Sequence, residues 1–555
     1  MYDVLKSKPL PNQVEYLTRK LVEQPSINGT EGEAKKANMI KGWLETFPYF
    51  QQHPDHLWFQ EIPDDRLGRK NVFAFVQGHN KAKETLLYHG HIDTVGVEDY
   101  GKLEEKAFNP DELMTFFSDS DLDPTLKEEA RSGEWLFGRG ALDMQSGDAV
   151  HIANLLYFSE HQEEMNGNLL VMFNPDEEAE HQGIITAISE LKRLKEEEGL
   201  VYLGAINSDF SSPLYEGDET RYLYTGAAGK LLPSFYIYGR ESHVGETLKG
   251  IDSTLVASEI NRRLNNNMDL TEPIEGEVVL PPSCLYQRDL KEAYNVQIPF
   301  KSCMYFNYFL YEENPITVLD KVAKIAREAC DKVEERLSYH YKKYIESTAM
   351  PESDVSWHLE VITLKDFISK LKESGIDTDE IVEKVLKENE GEELRELSFK
   401  VVDALQQHDR DQRPRVIVFY GPPHCPHNYL KEDDPRDRLI YETMEQIVEE
   451  VGEENTFSIK RFFPFLSDSS YLNLHESDEE LALLESNFAF WNDRYNIPVK
   501  DIRSLSIPAI NMGVFGKDAH QWTERLYKPY SFSTLPLLIR RFTKVMLAEP
   551  VKILS

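Results

Sequence analysis

The stretch Leu86-Leu87-Tyr88-His89-Gly90-His91-Ile92-Asp93-Thr94-Val95 begins as an apolar run and ends in imidazole and carboxylate groups. Alternate residues of a strand share a face, so His91 and Asp93 leave a sheet side by side where the strand gives way to a loop. An imidazole next to a carboxylate is how many metal ligands are held. Alone, a His-x-Asp at a strand end is more often a structural cap. What gives it meaning is repetition. Leu169-Leu170-Val171-Met172-Phe173-Asn174 runs into Pro175-Asp176-Glu177-Glu178, a short strand at 204–207 runs towards Asp209, and a late strand at 507–513 precedes His520. Trp135-Leu136-Phe137 turns through Gly138-Arg139-Gly140 to Asp143.

Between these strands lie helical patterns. The periodicity predicts helices over 13–25, 33–46, 146–160 and 183–197, adjacent strands over 71–77 and 84–88, and a long polar surface excursion over 100–133. Strand and helix in alternation mean an α/β domain with a mixed, largely parallel sheet. In such a sheet, sites form beyond the carboxyl ends of the strands, so these acid and imidazole groups can converge.

The pattern changes near Tyr224. Strands are predicted over 231–239, 283–289, 300–311 and 414–420, with helices over 250–265 and 315–347. The order β-α-β-β-α-β describes a compact α+β unit of ferredoxin-like type with helices on one face of its sheet. A charged helical stretch at 364–408 is an addition to it. The α/β style resumes with helices over 435–451 and 530–547. The expected organisation is a discontinuous α/β domain, 1–224 and 430–555, interrupted by an α+β domain at 225–429 with an extra helical segment at about 350–410.

Composition bounds the function. The chain has 555 residues, 41% hydrophobic and 28% charged, with a net charge of −36. So acidic a surface repels nucleic acid and anionic membranes. Cys284, Cys303, Cys330 and Cys425 lie far apart, which implies neither a disulfide framework nor a thiolate metal site. Met1–Lys6 lacks a basic region followed by an apolar core, and no run is long enough to span a bilayer, so a cytoplasmic location is expected.

Taken in order, Gly90-His91-Ile92-Asp93-Thr94-Val95, Gly138-Arg139-Gly140-Ala141-Leu142-Asp143-Met144, Pro175-Asp176-Glu177-Glu178 and Gly513-Val514-Phe515-Gly516-Lys517-Asp518-Ala519-His520 resemble the M20 family of metallopeptidases and amidohydrolases. The length and Gly239-Arg240-Glu241-Ser242-His243-Val244-Gly245-Glu246 further resemble its arginine-utilisation (RocB-type) branch. The resemblance implies a zinc-exopeptidase-like catalytic domain with a lid that can dimerise. It also implies two divalent metal ions, zinc or alternatively manganese or cobalt. His91 would bind one ion and His520 the other. Asp143 would bridge them, followed by a cis peptide to Met144. Glu178 and Asp209 would complete one ion each, with Glu216 and Asp218 nearby as alternatives to Asp209. Glu177 would be the general base, Asp93 would orient His91, and His243 from the lid would stabilise the oxyanion.

The implied reaction is hydrolysis of an amide bond in a small N-acyl amino acid or peptide-like substrate, in arginine catabolism if the branch resemblance holds. The alternative is a non-catalytic protein that keeps the fold for binding or regulation. Two departures stand out. Gln145-Ser146-Gly147 replaces the usual Lys-Gly-Gly after Asp143-Met144, and Met304–Phe309 lacks the Asp-x-Arg often found in that lid strand. The second argues against a substrate with a free C-terminal carboxylate. His424-Cys425-Pro426-His427 offers metal-ligand types, but its Pro-rich setting reads as a turn. No Gly-x-Ser-x-Gly elbow supports a serine hydrolase.

Overall fold

The computed structural model describes residues 1–548 apart from 275–276, 349, 352–353, 452–455 and 466. Residues 352–353, inside the insertion expected at about 350–410, and 549–555, at the end of the first domain, lie outside the described residues.

The chain forms two compact units. The first comprises Met1–Ala228, His427–Leu474 and Pro498–Ser555, and the second comprises Gly229–Pro426 and His475–Ile497. The short return of 475–497 to the second unit had no counterpart in the sequence pattern.

In the first unit an eight-stranded mixed sheet runs in the order Leu57–Glu61, Lys70–Val76, Asn168–Asn174, Glu84–His91, Val201–Asn207, Ala509–Asn511, Arg221–Tyr224, Phe457–Lys460. Four central strands, from Asn168–Asn174 to Ala509–Asn511, are mutually parallel. They are buried almost throughout, which is why they read as near-continuous apolar runs rather than alternating ones. The strands expected to be adjacent, 71–77 and 84–88, are separated by Asn168–Asn174. Neighbourhood in this sheet is set by the crossover, not by sequence order.

Helix Gln145–Glu160 packs on the sheet and against helices Leu10–Val22 and Leu535–Met546. It is buried around nearly its whole girth, matching its lack of a polar face. Gly90 permits this close approach: a Cβ there would lie 2.3 Å from Asp148 Oδ1 and 2.8 Å from the Met144 methyl. The excursion at 100–133 is not irregular. It holds helices Pro110–Asp119 and Pro124–Ser132 over a small core of Leu113, Phe117, Trp135 and Phe137.

The second unit carries a five-stranded sheet ordered Ser283–Asp289, Lys301–Leu310, Gly229–Tyr238, Arg415–Cys425, Glu360–Thr363. The last strand, parallel to Arg415–Cys425, comes from the inserted region. Tyr420 donates to the Pro315 carbonyl of the long helix Pro315–Thr348, at 2.6 Å, while its neighbour Phe419 meets Phe399 of helix Leu394–His408. Successive strand residues point to opposite faces. The insertion therefore covers the sheet face that the ferredoxin-like core leaves bare.

Among the described residues no helix is long and apolar enough to cross a membrane.

A Cβ on Gly513 would lie 1.8 Å from the Asp209 carbonyl oxygen, whereas one on Gly42, in helix Glu31–Leu44, meets nothing within 4 Å. Gly513→Ala is expected to destabilise by about 1–3 kcal/mol through overpacking. Gly42→Ala is expected to stabilise by about 0.5–1 kcal/mol. Thermal or urea unfolding of the two variants beside the wild type checks both signs.

Candidate metal centre

Three adjacent parallel strands deliver most of the site. Glu84–His91 ends at His91, with Asp93 two residues on; Asn168–Asn174 leads into Glu177 and Glu178; Val201–Asn207 leads to Asp209. Because they run in one direction, all three loops emerge from the same sheet edge. Asp143 arrives by a turn in which Gly138 and Gly140 have φ of 155° and 77°, and the Asp143–Met144 peptide is cis. His520 follows Ala509–Asn511 through the Gly513 loop.

The centre of the arrangement is the Asp143 carboxylate. Its Oδ1 lies 3.0 Å from His91 Nε2 and its Oδ2 lies 2.9 Å from His520 Nε2. His520 Nε2 also lies 3.0 Å from Glu178 Oε1. Two ligand-type groupings share Asp143: His91 with Asp143 and Asp209, and Asp143 with Glu178 and His520, each with donor atoms within 4.8 Å of one another. Glu177 joins His91 and Glu178 in a third grouping. On the other side of the His91 ring, Nδ1 is 3.2 Å from the Asp93 carbonyl and 3.5 Å from its carboxylate. The Asp93 carboxylate accepts from the Glu177 and Glu178 backbone N–H groups at 3.1 and 3.0 Å and from Asn28 Nδ2 at 3.0 Å. One buried carboxylate thus orients the imidazole and the Glu-Glu turn together.

The electrostatics call for positive charge. Burial pulls the His520 imidazole towards its neutral form, but hydrogen bonds to Asp143 and Glu178 outweigh it and hold its pKa up to about 11. His91 is likewise held well above its ordinary value: burial opposes protonation, and Glu177 and Asp143 overcome it. Burial, with Asp143 next, raises Asp209 and Glu178, and burial also raises Glu177 well above the usual carboxylate range. With protons as the only source of positive charge, both imidazoles charge and several carboxyls neutralise. Divalent cations held between imidazole and carboxylate donors meet the same demand, so the donor set fits them.

Other predicted residues fall elsewhere. Asp218, a rival to Asp209, accepts from Leu214 N, Thr220 N and Tyr222 Oη, and closes a turn. Glu216 is exposed. His243 lies on an exposed loop of the second unit, where its Nδ1 accepts from Gly245 N–H at 3.1 Å. That leaves the ring proton on Nε2. His424 and His427 join no ligand-type grouping among the described residues.

Three supports were not foreseen. Buried Glu524 accepts from the Leu142 and Asp143 N–H groups at 3.0 and 3.3 Å and from Arg139 Nη1 at 2.7 Å, fixing the Asp143 turn. Glu33 accepts from Asp176 N–H at 2.9 Å and Arg69 pairs with Asp176 at 2.6 Å, fixing the turn before Glu177. His181 pairs with Asp468 at 3.0 Å and groups with Glu177. The charged residues inside the Gly138–Asp143 and Pro175–Glu178 motifs, Arg139 and Asp176, were the only local signal, since a buried charge needs a partner.

The sequence profile of peptidase family M20/M25/M40 matches residues 87–483. Protein RocB of Bacillus subtilis (strain 168) is 52% identical over 533 residues, covering 96% of this chain and 94% of that protein. A tripeptidase from Staphylococcus aureus subsp. aureus Mu50 has a similar fold, with a TM-score of 0.51 at 12% identity over 97% of this chain and 99% of the other. An M20 family metallo-carboxypeptidase from Sulfolobus solfataricus gives 0.50 at 12% identity over 97% and 99%.

Cations that relieve this crowding must stabilise the folded state. Chelator-treated protein is expected to melt at a higher temperature after addition of zinc, manganese or cobalt. The gain is about 2.7 kcal/mol at a free concentration a hundredfold above Kd. Asp143→Asn should lose most of that shift. Scanning calorimetry with and without each metal checks it.

Proposed function

Because the chain belongs to peptidase family M20/M25/M40, a family of metal-dependent hydrolases, we propose that it cleaves an amide bond of a small N-acyl amino acid or peptide-like substrate. The observation that carries this is the Asp143 carboxylate, one oxygen facing His91 and the other His520, with Glu177 beside them. In this reading His91, Asp143 and Asp209 hold one divalent cation, and Asp143, Glu178 and His520 hold a second. Imidazole and carboxylate donors suit zinc, with manganese or cobalt compatible. Bound there, such cations polarise the scissile carbonyl and make a water acidic enough to attack at neutral pH.

The chain's own groups do the rest. Glu177 accepts the proton of the attacking water on its carboxylate and delivers it to the nitrogen of the leaving amine. Such base catalysis contributes about 10²–10⁴-fold. Asp93 keeps His91 in the orientation that turns Nε2 to Asp143. His243, with Nε2–H as its donor, stabilises the oxyanion that forms as water adds, an effect of about 10²–10³-fold.

The resemblance to the arginine-utilisation branch, with 52% identity to Protein RocB, supports a substrate from arginine catabolism. The lack of an Arg in the Lys301–Leu310 strand supports one without a free C-terminal carboxylate. The Ser283–Asp289 strand has a neighbour on one side only among the described residues, which supports pairing of two copies through the lid.

Metal-loaded wild type is expected to turn over at least one member of a panel of N-acyl amino acids, with N-acyl-arginines among them. Glu177→Gln should lower kcat by about 10²–10⁴-fold while keeping the metal content measured by plasma mass spectrometry. If metal-loaded wild type hydrolyses no amide, the protein is a binding or regulatory member of the family instead.

A further inference from the structure

Beside Glu177 lies a second imidazole–carboxylate pair that the proposed reaction leaves unused. His181 and Asp468 are 1% and 2% exposed, and each offers a donor atom within 4.8 Å of the other and of the Glu177 carboxylate. The His181 Nδ1–Asp468 Oδ1 distance is 3.0 Å. As a carboxylate, Asp468 can only accept, so Nδ1 carries the donated proton and the plane of the ring is set.

Both partners are built in from the backbone. His181 directly precedes helix Gln182–Glu197, with φ of 56°, a left-handed conformation uncommon outside glycine. Its N–H donates to the Asp176 carbonyl at 2.7 Å, which closes the turn Asp176–His181 and brings the imidazole back to Glu177. Its ring lies 5.1 Å from that of buried Tyr471. Asp468 opens the short turn Asp468–Leu472. Ser467 Oγ, at the head of this turn, accepts from Ser469 N–H and from Asn207 Nδ2, and Ser469 Oγ meets His89 Nε2 at 3.0 Å. The turn is thereby fixed to the strands that end at His91 and towards Asp209.

We propose that His181, oriented by Asp468, is a positioning residue for the Glu177 carboxylate, fixing which of its oxygens faces the attacking water. The terminal torsion of a glutamate is broad, so its carboxylate does not hold one orientation unaided. Neighbouring Glu178 is fixed by His520, and the Glu177 backbone by Asp93. Among the described residues, the partner grouped with the Glu177 side chain from outside the ligand set is the His181–Asp468 pair. The inference rests on Glu177 as general base.

The test compares wild type, His181→Ala, Asp468→Leu, Asp468→Asn and Glu177→Gln, all zinc-loaded. In crystals of His181→Ala the Glu177 carboxylate should rotate away from its wild-type position, with zinc content unchanged by mass spectrometry. On whichever panel amide the wild type hydrolyses, His181→Ala and Asp468→Leu should lower kcat by about 10–100-fold with KM within threefold. Asp468→Asn, which keeps an acceptor for Nδ1–H, should recover most of that loss. An unmoved Glu177 carboxylate overturns the inference even if no panel amide is turned over, and so does a kcat within threefold of wild type. Loss of a zinc equivalent in His181→Ala also overturns it, by making His181 a ligand. If His181→Ala does not fold, the Asp468→Leu and Asp468→Asn pair decides by the same crystallographic and kinetic criteria. A fully active Glu177→Gln would instead sink the general-base reading on which the inference stands.

Discussion

The structure of the first unit is organised around a concentration of negative charge that water does not solvate. Asp143, Glu178, Asp209, Glu177 and Asp93 are all buried or nearly so, within one loop cluster at the sheet edge. Two unit charges 4 Å apart interact by about 4 kcal/mol even at an effective dielectric of 20. Several such repulsions together rival the whole stability of a domain. Only positive charge placed between the carboxylates resolves this, and the two imidazoles on opposite oxygens of Asp143 mark where it belongs. The parallel strands matter because they hold the groups in place while they repel.

The scaffold around this cluster follows one device, used twice. A buried carboxylate that is not itself among the proposed ligands accepts backbone N–H groups from a ligand-bearing turn. Asp93 does so for Glu177 and Glu178, and Glu524 for Leu142 and Asp143. Peptide N–H groups are fixed in direction by the chain, so gripping them aims the neighbouring side chains more rigidly than gripping the side chains would. Each anion also needs a partner of its own. Glu524 has Arg139, which is 1% exposed and further tied to Asp99 and the Gly96 carbonyl.

Much of this was legible in the sequence because the groups sit at the ends of apolar strands, where the change from a continuous apolar run to Gly or Pro marks a loop. His91, Asp93, Asp143 and the Glu177-Glu178 pair lie in such settings. Asp209 was less distinct, since Glu216 and Asp218 follow within ten residues and only the turn closed by Asp218 separates them. Glu524, His181 and Asp468 carried no signal at their own positions: Arg139 and Glu524 are 385 residues apart, and their pairing exists only in the folded chain. The helices within 100–133 were hidden by acidic density. Yet Asn109-Pro110 and Asp123-Pro124 pair an N-cap acceptor with a proline at the first helical position, and both caps form. The strand Glu360–Thr363 is four residues long and has no alternation to read; its pairing with Arg415–Cys425 is a tertiary event.

The departure at Gln145 shows how a motif can change while its physics persists. Where the resemblance to the M20 pattern implies a lysine after the aspartate–methionine pair, the side chain here is a neutral amide. Its Oε1 nevertheless accepts from an ammonium, Lys36 Nζ at 2.6 Å, supplied by helix Glu31–Leu44, and its Nε2 donates to the Ile92 carbonyl between His91 and Asp93 at 3.1 Å. Lys36 also donates to the Leu21 carbonyl. Burial pulls its pKa down to about 7, against the opposing charges of Asp148 and Asp93. Gln145 thus links the Lys36 amine to the peptide between His91 and Asp93. Asp148, one turn further along the same helix and without a hydrogen-bond partner among the described residues, is driven by burial well above the usual carboxylate range. Gln145 ties the aspartate-bearing turn both to helix Glu31–Leu44 and to the strand end at His91, which is the rigidity a centre built on shared carboxylates requires of its floor.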